Sequence, residues 1–369
     1  MKLLVTTGIY PPAIGGPATH IAQVSRALRQ RGHEVTVVTL DHGRSREAGV
    51  IRIPRGRLMP WRLARTIMTI IRVGWGFDVI YVQGLWIEAG IASVVLRKPI
   101  VRKIVGDWAW ERAFGRGWTH HRFDEFQRHS YGGRIRMLKL LRTFLTRCAD
   151  HVIVPSQYLK QCVQAWGVDE LRIEVIHNAL ENPLAILPSG VRRPNRIVAV
   201  GRLTRWKGFE EIIRSISRLP GADLVIVGDG PEREHLEHLA RHAGVDRRVT
   251  FMGQLPHADV LAEVSSASVF VLNSAYEGFP HVLLEALLVG TPVVAAAAGG
   301  VTEIIRDGEN GLVVQQDDAA SITRAISRIL RDPSLADRLR AEGRRTLEHF
   351  SQKRMLDQLE RSMSVLCGA

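Results

Sequence analysis

The clearest chemistry in the second half of the chain is a pair of carboxylates placed around a helix start, in Ser274-Ala275-Tyr276-Glu277-Gly278-Phe279-Pro280-His281-Val282-Leu283-Leu284-Glu285. Pro280 suits the first turn of a helix ending near Gly290, because the N–H it lacks is one that a helix start leaves unbonded. Glu277 then lies in the preceding loop and Glu285 more than one turn inside. Backbone N–H groups of residues 278–282 point out of such a start, where the helix dipole favours phosphate or sugar oxygens. A carboxylate accepts strongly from vicinal hydroxyls, so two at this spacing can hold two hydroxyl-bearing groups such as a ribose and a hexose. Taken alone, the residues fit a second account equally: one Glu complementing the helix dipole and one on the surface.

Three further strand-glycine-helix junctions carry related chemistry. In Val200-Gly201-Arg202-Leu203-Thr204-Arg205-Trp206-Lys207-Gly208-Phe209, Arg202 and Lys207 flank the turn. A guanidinium fork and an ammonium point charge suit a departing diphosphate. Cations at a helix start oppose its dipole, which points to a bound anion. Tyr10-Pro11-Pro12-Ala13-Ile14-Gly15-Gly16-Pro17-Ala18 lets backbone approach a phosphate at Gly15 and Gly16. It lacks the lysine and glycine spacing of a P-loop or dinucleotide fingerprint. Ala298-Gly299-Gly300-Val301-Thr302-Glu303 serves either close backbone approach or a structural turn.

Alternating strands and helices must position these loops. In the first half, apolar runs at Lys2–Thr7, Glu34–Thr39, Val79–Val82, Ile100–Val105 and His151–Val154 predict strands, and a helix spans Ala18–Arg31. The alternation restarts with strands at Arg196–Val200, Asp223–Val227, Val249–Phe251, Val269–Leu272, Pro292–Ala295 and Leu312–Val314. This is the α/β pattern of parallel, doubly wound sheets, whose ligands bind beyond the carboxyl ends of the strands. The length of 369 residues fits two domains: 1–182, a Pro/Gly-rich linker at 183–194, and 195–345. A last helical run, Pro333 to Leu366, extends past the second domain, so that 346–369 is expected to return to the first.

Composition narrows the classes. Cys148, Cys162 and Cys367 lie far apart, which argues against disulfides and zinc and for a reducing, cytoplasmic compartment. The apolar N-terminus runs at once into Pro11-Pro12, so a first strand is expected rather than a signal peptide. The most apolar stretch, Phe77–Leu96, holds Asp78 and Glu88, and no transmembrane helix is predicted. The net charge of +13 is one-sided: residues 1–180 hold 27 Lys and Arg against 13 Asp and Glu, and residues 181–369 hold 23 against 24. Such a field attracts polyanions.

In order along the chain, PPAIGG, RGHEVTVVT, ADHVIVPS, VGRLTRWKG, LVIVGDGP, NSAYEGFPHVLLEALLVGTPVVA, GGVTEII and DGENGLVV resemble the family-4 glycosyltransferases, retaining enzymes of the GT-B fold. The resemblance spans nearly the whole chain. It implies two Rossmann-like domains facing a central cleft and transfer of a hexose-type sugar from a nucleoside diphosphate-sugar, with UDP favoured over GDP. By the same resemblance, Arg202 and Lys207 bind the donor diphosphate and Glu285 the ribose hydroxyls. Glu277 contacts the transferred sugar beside the backbone of Gly278, Phe279 and Pro280. Gly15 and Gly16 close over the phosphates from the other domain. Where relatives often carry a His near the sugar, this chain reads Lys103-Ile104-Val105-Gly106-Asp107-Trp108-Ala109-Trp110, which makes Asp107 the candidate hydroxyl or proton acceptor. No Asp-x-Asp triplet occurs, in keeping with metal-independent, cofactor-free transfer. Front-face attack by an acceptor hydroxyl is the family expectation, with Arg202, Lys207 and helix N-termini stabilising the leaving diphosphate.

The acceptor is assigned to the basic first domain. Arg112–Arg147 interleaves cations with Trp118, Phe123, Phe126, Ile135, Leu138, Leu141 and Phe144, and Arg55–Phe77 does the same around Trp61. Basic-aromatic amphipathic helices lie in anionic membrane interfaces, so the expected acceptor is a glycan or lipid-linked sugar at the inner membrane face. Two alternatives are an epimerase or phosphorylase of the same fold and a non-catalytic polyanion-binding protein. Nucleic acid is not an expected partner, since no nucleic-acid module is present and the acidic pair would repel a strand.

Overall fold

The computed structural model describes residues 1–13, 16–41, 47–56, 58–180 and 192–367. Gly15 and most of the proposed linker, up to Val191, lie outside the described residues. The chain forms two compact units. Unit 1 comprises Met1–Ala113, His129–His177 and Lys353–Ala369, and unit 2 comprises Phe114–Arg128 and Asn178–Gln352.

Unit 1 is built on a seven-stranded parallel sheet: β1 (Lys2–Thr7), β2 (Glu34–Asp41), β3 (Val50–Pro54), β4 (Val79–Val82), β5 (Ile100–Lys103), β6 (His151–Val154) and β7 (Ile173–Val175). The order is β3-β2-β1-β4-β5-β6-β7, so the winding reverses between β1 and β4. Its strands are nearly continuous apolar runs because helices cover both faces. These include α1 (Gly16–Gln30), α2 (Met59–Gly74), α3 (Trp86–Leu96), α4 (Trp108–Gly115), α6 (Gly133–Arg147) and α7 (Gln157–Ala165). In α1, Ile21, Val24 and Leu28 are buried on one face, each contributing about 1.5–3 kcal/mol of apolar burial.

Unit 2 carries a six-stranded sheet: β8 (Arg196–Val200), β9 (Asp223–Val227), β10 (Val249–Gly253), β11 (Val269–Leu272), β12 (Val293–Ala296) and β13 (Leu312–Val314). Its order is β10-β9-β8-β11-β12-β13, and the winding reverses between β8 and β11. Here α8 (Phe209–Ser217), α9 (Arg233–His242), α10 (His257–Ser265), α11 (His281–Leu288), α12 (Ala319–Arg331) and α13 (Pro333–Thr346) form the helical layers. The expected α/β architecture of two doubly wound parallel sheets is present.

Three expectations need correction. Strands β3 and β7 escape the sequence pattern because both are short sheet edges; β3 ends in Pro54 and β7 has three residues. The final helical run is two helices. It breaks at a 3-10 turn, Leu347–Phe350, and an extended Ser351 before α14 (Gln352–Cys367). Within unit 1, α14 buries Met355, Leu356, Leu359 and Met363, while Arg31 meets Asp357 at 2.7 Å and Glu360 at 2.9 Å. Finally, Phe123 and Phe126 are fully buried in unit 2, on α5 (Phe123–Arg128), and are unavailable to a membrane.

Candidate functional site

In unit 2 the loops after β8 and β11 leave the sheet at its point of reversal, where doubly wound sheets open a crevice for ligand. The β8 loop turns through Gly201 into a 3-10 turn, Arg205–Lys207, and enters α8 at Gly208. Gly208 has a left-handed φ of +63°, and a Cβ there would lie 2.2 Å from the Asn273 carbonyl oxygen. Only glycine lets the two loops come this close. The neighbouring turn after β9 is held as tightly: Gly228 has φ +134°, and a Cβ would sit 1.9 Å from the Gly201 oxygen.

This closeness brings Lys207 to Glu277. Lys207 Nζ donates to Glu277 Oε1 at 2.6 Å, and Ser274 Oγ donates to the same oxygen at 2.6 Å. Both side chains are only partly exposed, 20% and 12%. Backbone bonds knit the loops further. Ala275 N donates to Trp206 O at 2.6 Å, and Gly300 N, in the glycine turn after β12, donates to Glu277 O at 2.9 Å. The β11 loop, the β8 loop and the Gly299–Glu303 turn therefore form one bonded framework around the Lys207–Glu277 pair.

Glu285 lies one turn inside α11, where Oε1 meets His257 Nε2 of α10 at 2.9 Å. That hydrogen bond raises the His257 pKa, against the opposing effect of burial. Pro280 occupies the N-cap of α11, with no side-chain cap on the first turn. Phe279 is buried against Phe350, ring centroids 5.4 Å apart, so it can offer a ligand only its backbone. Arg202 is exposed at the mouth of the β8 loop. Unit 2 thus brings Arg202, Lys207, Glu277, Gly278, Phe279, Pro280 and Glu285 to one end of its sheet. The arrangement can exchange a cation and two carboxylates with an anionic, hydroxyl-bearing ligand.

Two supports have no counterpart in the sequence motifs. Phe123 stacks on Tyr276, the residue before Glu277, with centroids 3.8 Å apart and planes 9° from parallel. Phe114 meets Trp206, the residue before Lys207, edge to face at 6.0 Å. Residues 114–128 leave the first half of the sequence to brace both loops of unit 2. The only sequence signal is a cluster of aromatics, which fits a membrane face as well as a brace.

Unit 1 contributes the remaining candidates. Gly16 starts α1, while Gly15 is outside the described residues. Asp107 is fully buried; Oδ1 accepts from Ala109 N at 2.9 Å at the start of α4, and Oδ2 accepts from Arg142. Both oxygens are therefore committed within unit 1. Lys103, at the end of β5, is also buried and lies 2.9 Å from His20 Nε2. Burial lowers its pKa to about 7. Among the described residues, one group with metal-ligand proximity exists, Glu210, Glu232 and His235, and it carries no further sign of a site.

Comparison with known proteins places the family and the fold. Residues 189–346 match the family model for glycosyl transferases group 1, and residues 14–181 match that for glycosyltransferase family 4. The chain is 30% identical to an uncharacterised glycosyltransferase of Methanocaldococcus jannaschii over 90% of each chain. It is 29% identical to Mycobacterium tuberculosis glycogen synthase, covering 94% of this chain and 90% of the relative. In fold it resembles Anabaena HepE in complex with UDP and glucose, with a TM-score of 0.82, 20% identity and 99% of each chain covered. The chain belongs to the group 1, family-4 glycosyltransferases, and its two parallel-sheet domains are those of the GT-B fold.

Proposed function

We propose that this transferase moves a hexose-type sugar from a nucleoside diphosphate-sugar, UDP-linked in preference to GDP-linked, to a hydroxyl of a glycan or lipid-linked acceptor with retention and without a metal. The observation that carries this is the Lys207–Glu277 pair at the reversal point of unit 2, beside Arg202 and the start of α11. Donor binding exchanges partners: the diphosphate takes Lys207 and Arg202, a sugar hydroxyl takes Glu277, and the ribose takes Glu285. As the glycosidic bond breaks, the sugar becomes oxocarbenium-like and negative charge grows on the leaving phosphate, where the two cations and the helix start stabilise it. The acceptor hydroxyl attacks from the same face and passes its proton to that phosphate. The two carboxylates of the site are held by Lys207 and His257, an arrangement for binding rather than for covalent attack. With both oxygens engaged, Asp107 acts as a positioning residue instead of a proton acceptor.

UDP leads because HepE, which shares the fold, binds UDP and UDP-glucose. Thermal melts with UDP-, GDP- and ADP-sugars test the donor. A UDP-sugar at a hundred times its Kd adds about 2.7 kcal/mol of stability, and a chain that no nucleotide sugar stabilises overturns the reading. Donor incubated without acceptor stays unchanged, whereas an epimerase would convert it.

A lipid-linked acceptor is supported by three adjoining helices of unit 1. Helices α2, α3 and α6 adjoin and expose Met59, Met68, Val94, Met137 and Phe144. Arg65 and Arg72 on α2 and Arg134 and Arg136 on α6 are exposed on the same helices. Exposed apolar side chains and arginines on adjoining helices suit an anionic bilayer, to which each cation near the surface adds about 1 kcal/mol. No helix among the described residues is long and apolar enough to cross a membrane. Pelleting with vesicles containing phosphatidylglycerol at low salt, and release at high salt, is the expected result; no pelleting at low salt removes the membrane from the proposal.

A further inference from the structure

Beyond the carboxyl ends of β4 and β5, unit 1 has a partly open cavity of about 100 Å³ whose lining includes Gln83, Trp86, Arg102, Trp108, Arg142 and Trp166. Two of these residues are arginines inside the fold, and they are not equivalent. Arg142 lies over the Trp166 ring at 4.0 Å and is neutralised by Asp107. Arg102 is 3% exposed and lies over the Trp86 ring at 5.0 Å. Its Nε and Nη1 have no hydrogen-bond partner among the described residues. Burial lowers its pKa only to about 10, so it remains cationic at neutral pH.

Burying a guanidinium without an anion is costly, and such groups in a cavity wall mark ligand sites. The same wall holds two more buried donors without acceptors among the described residues, Trp86 Nε1 and Trp108 Nε1. Their rings stack 5.9 Å apart at 27°. Across the lining, Gln83 Oε1 is a buried acceptor in the same state. The lining also holds one carboxylate, Glu111, which is exposed to solvent. The buried members of the wall are chiefly charged and neutral N–H donors, which suit an oxyanion, while the indole planes offer apolar faces to a sugar ring.

We infer that this cavity receives the anionic group, phosphate or carboxylate, of the acceptor sugar, with Arg102 as its charge partner and the Trp86 and Trp108 N–H groups as further donors. The inference rests on the proposed transferase reading, in which the acceptor binds the basic first half of the chain. It narrows the acceptor from any glycan hydroxyl to a hydroxyl on an acidic or phosphorylated sugar. The Asp107–Arg142 pair then fixes the start of α4, and with it Trp108, against the cavity.

The test titrates the full chain, with and without UDP, following tryptophan fluorescence. The probes are glucose 6-phosphate, glucuronate, neutral glucose and inorganic phosphate. One of the two charged sugars binds at least about tenfold more tightly than glucose and than inorganic phosphate, as a charge-assisted bond warrants. Arg102→Met removes that preference and Arg102→Lys keeps part of it, while UDP still stabilises both variants. Trp108→Phe keeps a ring but loses the N–H and weakens the charged sugar about three- to tenfold. Equal binding of glucose and both charged sugars overturns the inference, as does a preference that survives Arg102→Met. Inorganic phosphate binding as tightly as the charged sugar overturns the acceptor assignment. Should Arg102→Met fail to fold, a preference undiminished in Trp108→Phe is the overturning result. Failure of UDP to stabilise the wild-type chain counts against the donor reading instead, whatever the charged sugars do.

Discussion

The two units handle buried and half-buried charge in opposite ways. In unit 2 each carboxylate of the site already has a cation or imidazole: Glu277 has Lys207 and Glu285 has His257. A ligand there swaps one set of partners for another, so the empty and filled site both satisfy their charges. In unit 1 the cavity wall holds Arg102 with two unpartnered nitrogens and Lys103 buried at the end of the same strand. At Arg102 the folded chain carries an electrostatic cost that an anionic ligand would relieve. A donor site that exchanges partners turns over readily, while a site holding unrelieved charge discriminates strongly for its complement.

The sharpest way to break this contrast is a double-mutant cycle on Lys207 and Glu277. Lys207→Met removes the cation at the leaving diphosphate and leaves Glu277 half-buried without its ammonium. Transfer is expected to fall about 10²–10³-fold, the range for losing one preorganised transition-state contact. Glu277→Gln is expected to lower transfer as well. For stability the double variant should lose less than the sum of the singles, because the two groups are partners in the empty protein. For transfer the double variant should regain nothing, because the ligand uses the two groups separately. Glu277→Gln retaining full transfer would remove Glu277 from the sugar site. Recovery of transfer in the double variant would make the pair merely structural.

The same contrast explains what is legible in the sequence. The unit 2 site is local: each of its loops is a strand end, a glycine and a helix start within a dozen residues, as in VGRLTRWKG and NSAYEGFPHVLLEA. Strand positions and the loop residues can be read from such short windows. The pairings cannot, since Lys207 meets Glu277 across 70 residues through contacts only Gly208 permits. The unit 1 cavity is non-local throughout. Gln83, Trp86, Arg102, Trp108, Arg142 and Trp166 are drawn from well-separated stretches, and no short window contains the set. One signal is present in Ile100-Val101-Arg102-Lys103-Ile104-Val105. Two adjacent cations in a strand buried on both faces need a reason beyond packing. Residues 114–128 mislead a reading by composition, because a bracing aromatic and a membrane-facing aromatic look the same there. Only the stack of Phe123 on Tyr276 separates them.

A smaller effect tests the cost assigned to unit 1 directly. Burial lowers the Lys103 pKa to about 7, from the ordinary 10.5. Below pH 7 both folded and unfolded chains hold the proton, and the folded state bears the desolvation cost of the buried charge, offset in part by its contacts. Between pH 7 and about 10.5 the unfolded chain stays protonated while the folded one does not, so this lysine's contribution to stability rises with pH. Lys103→Met removes the charge and keeps most of the volume. Chemical denaturation is expected to show the variant about 1–3 kcal/mol more stable than wild type at pH 6, as when buried charges give way to apolar groups. The loss of the 2.9 Å contact to His20 works against this gain. The advantage should shrink steadily from pH 7 to pH 10, and UDP stabilisation in unit 2 should stay unchanged. An advantage of the same size at pH 6 and pH 10 would show that Lys103 carries no buried charge, and the electrostatic cost in unit 1 would then rest on Arg102 alone.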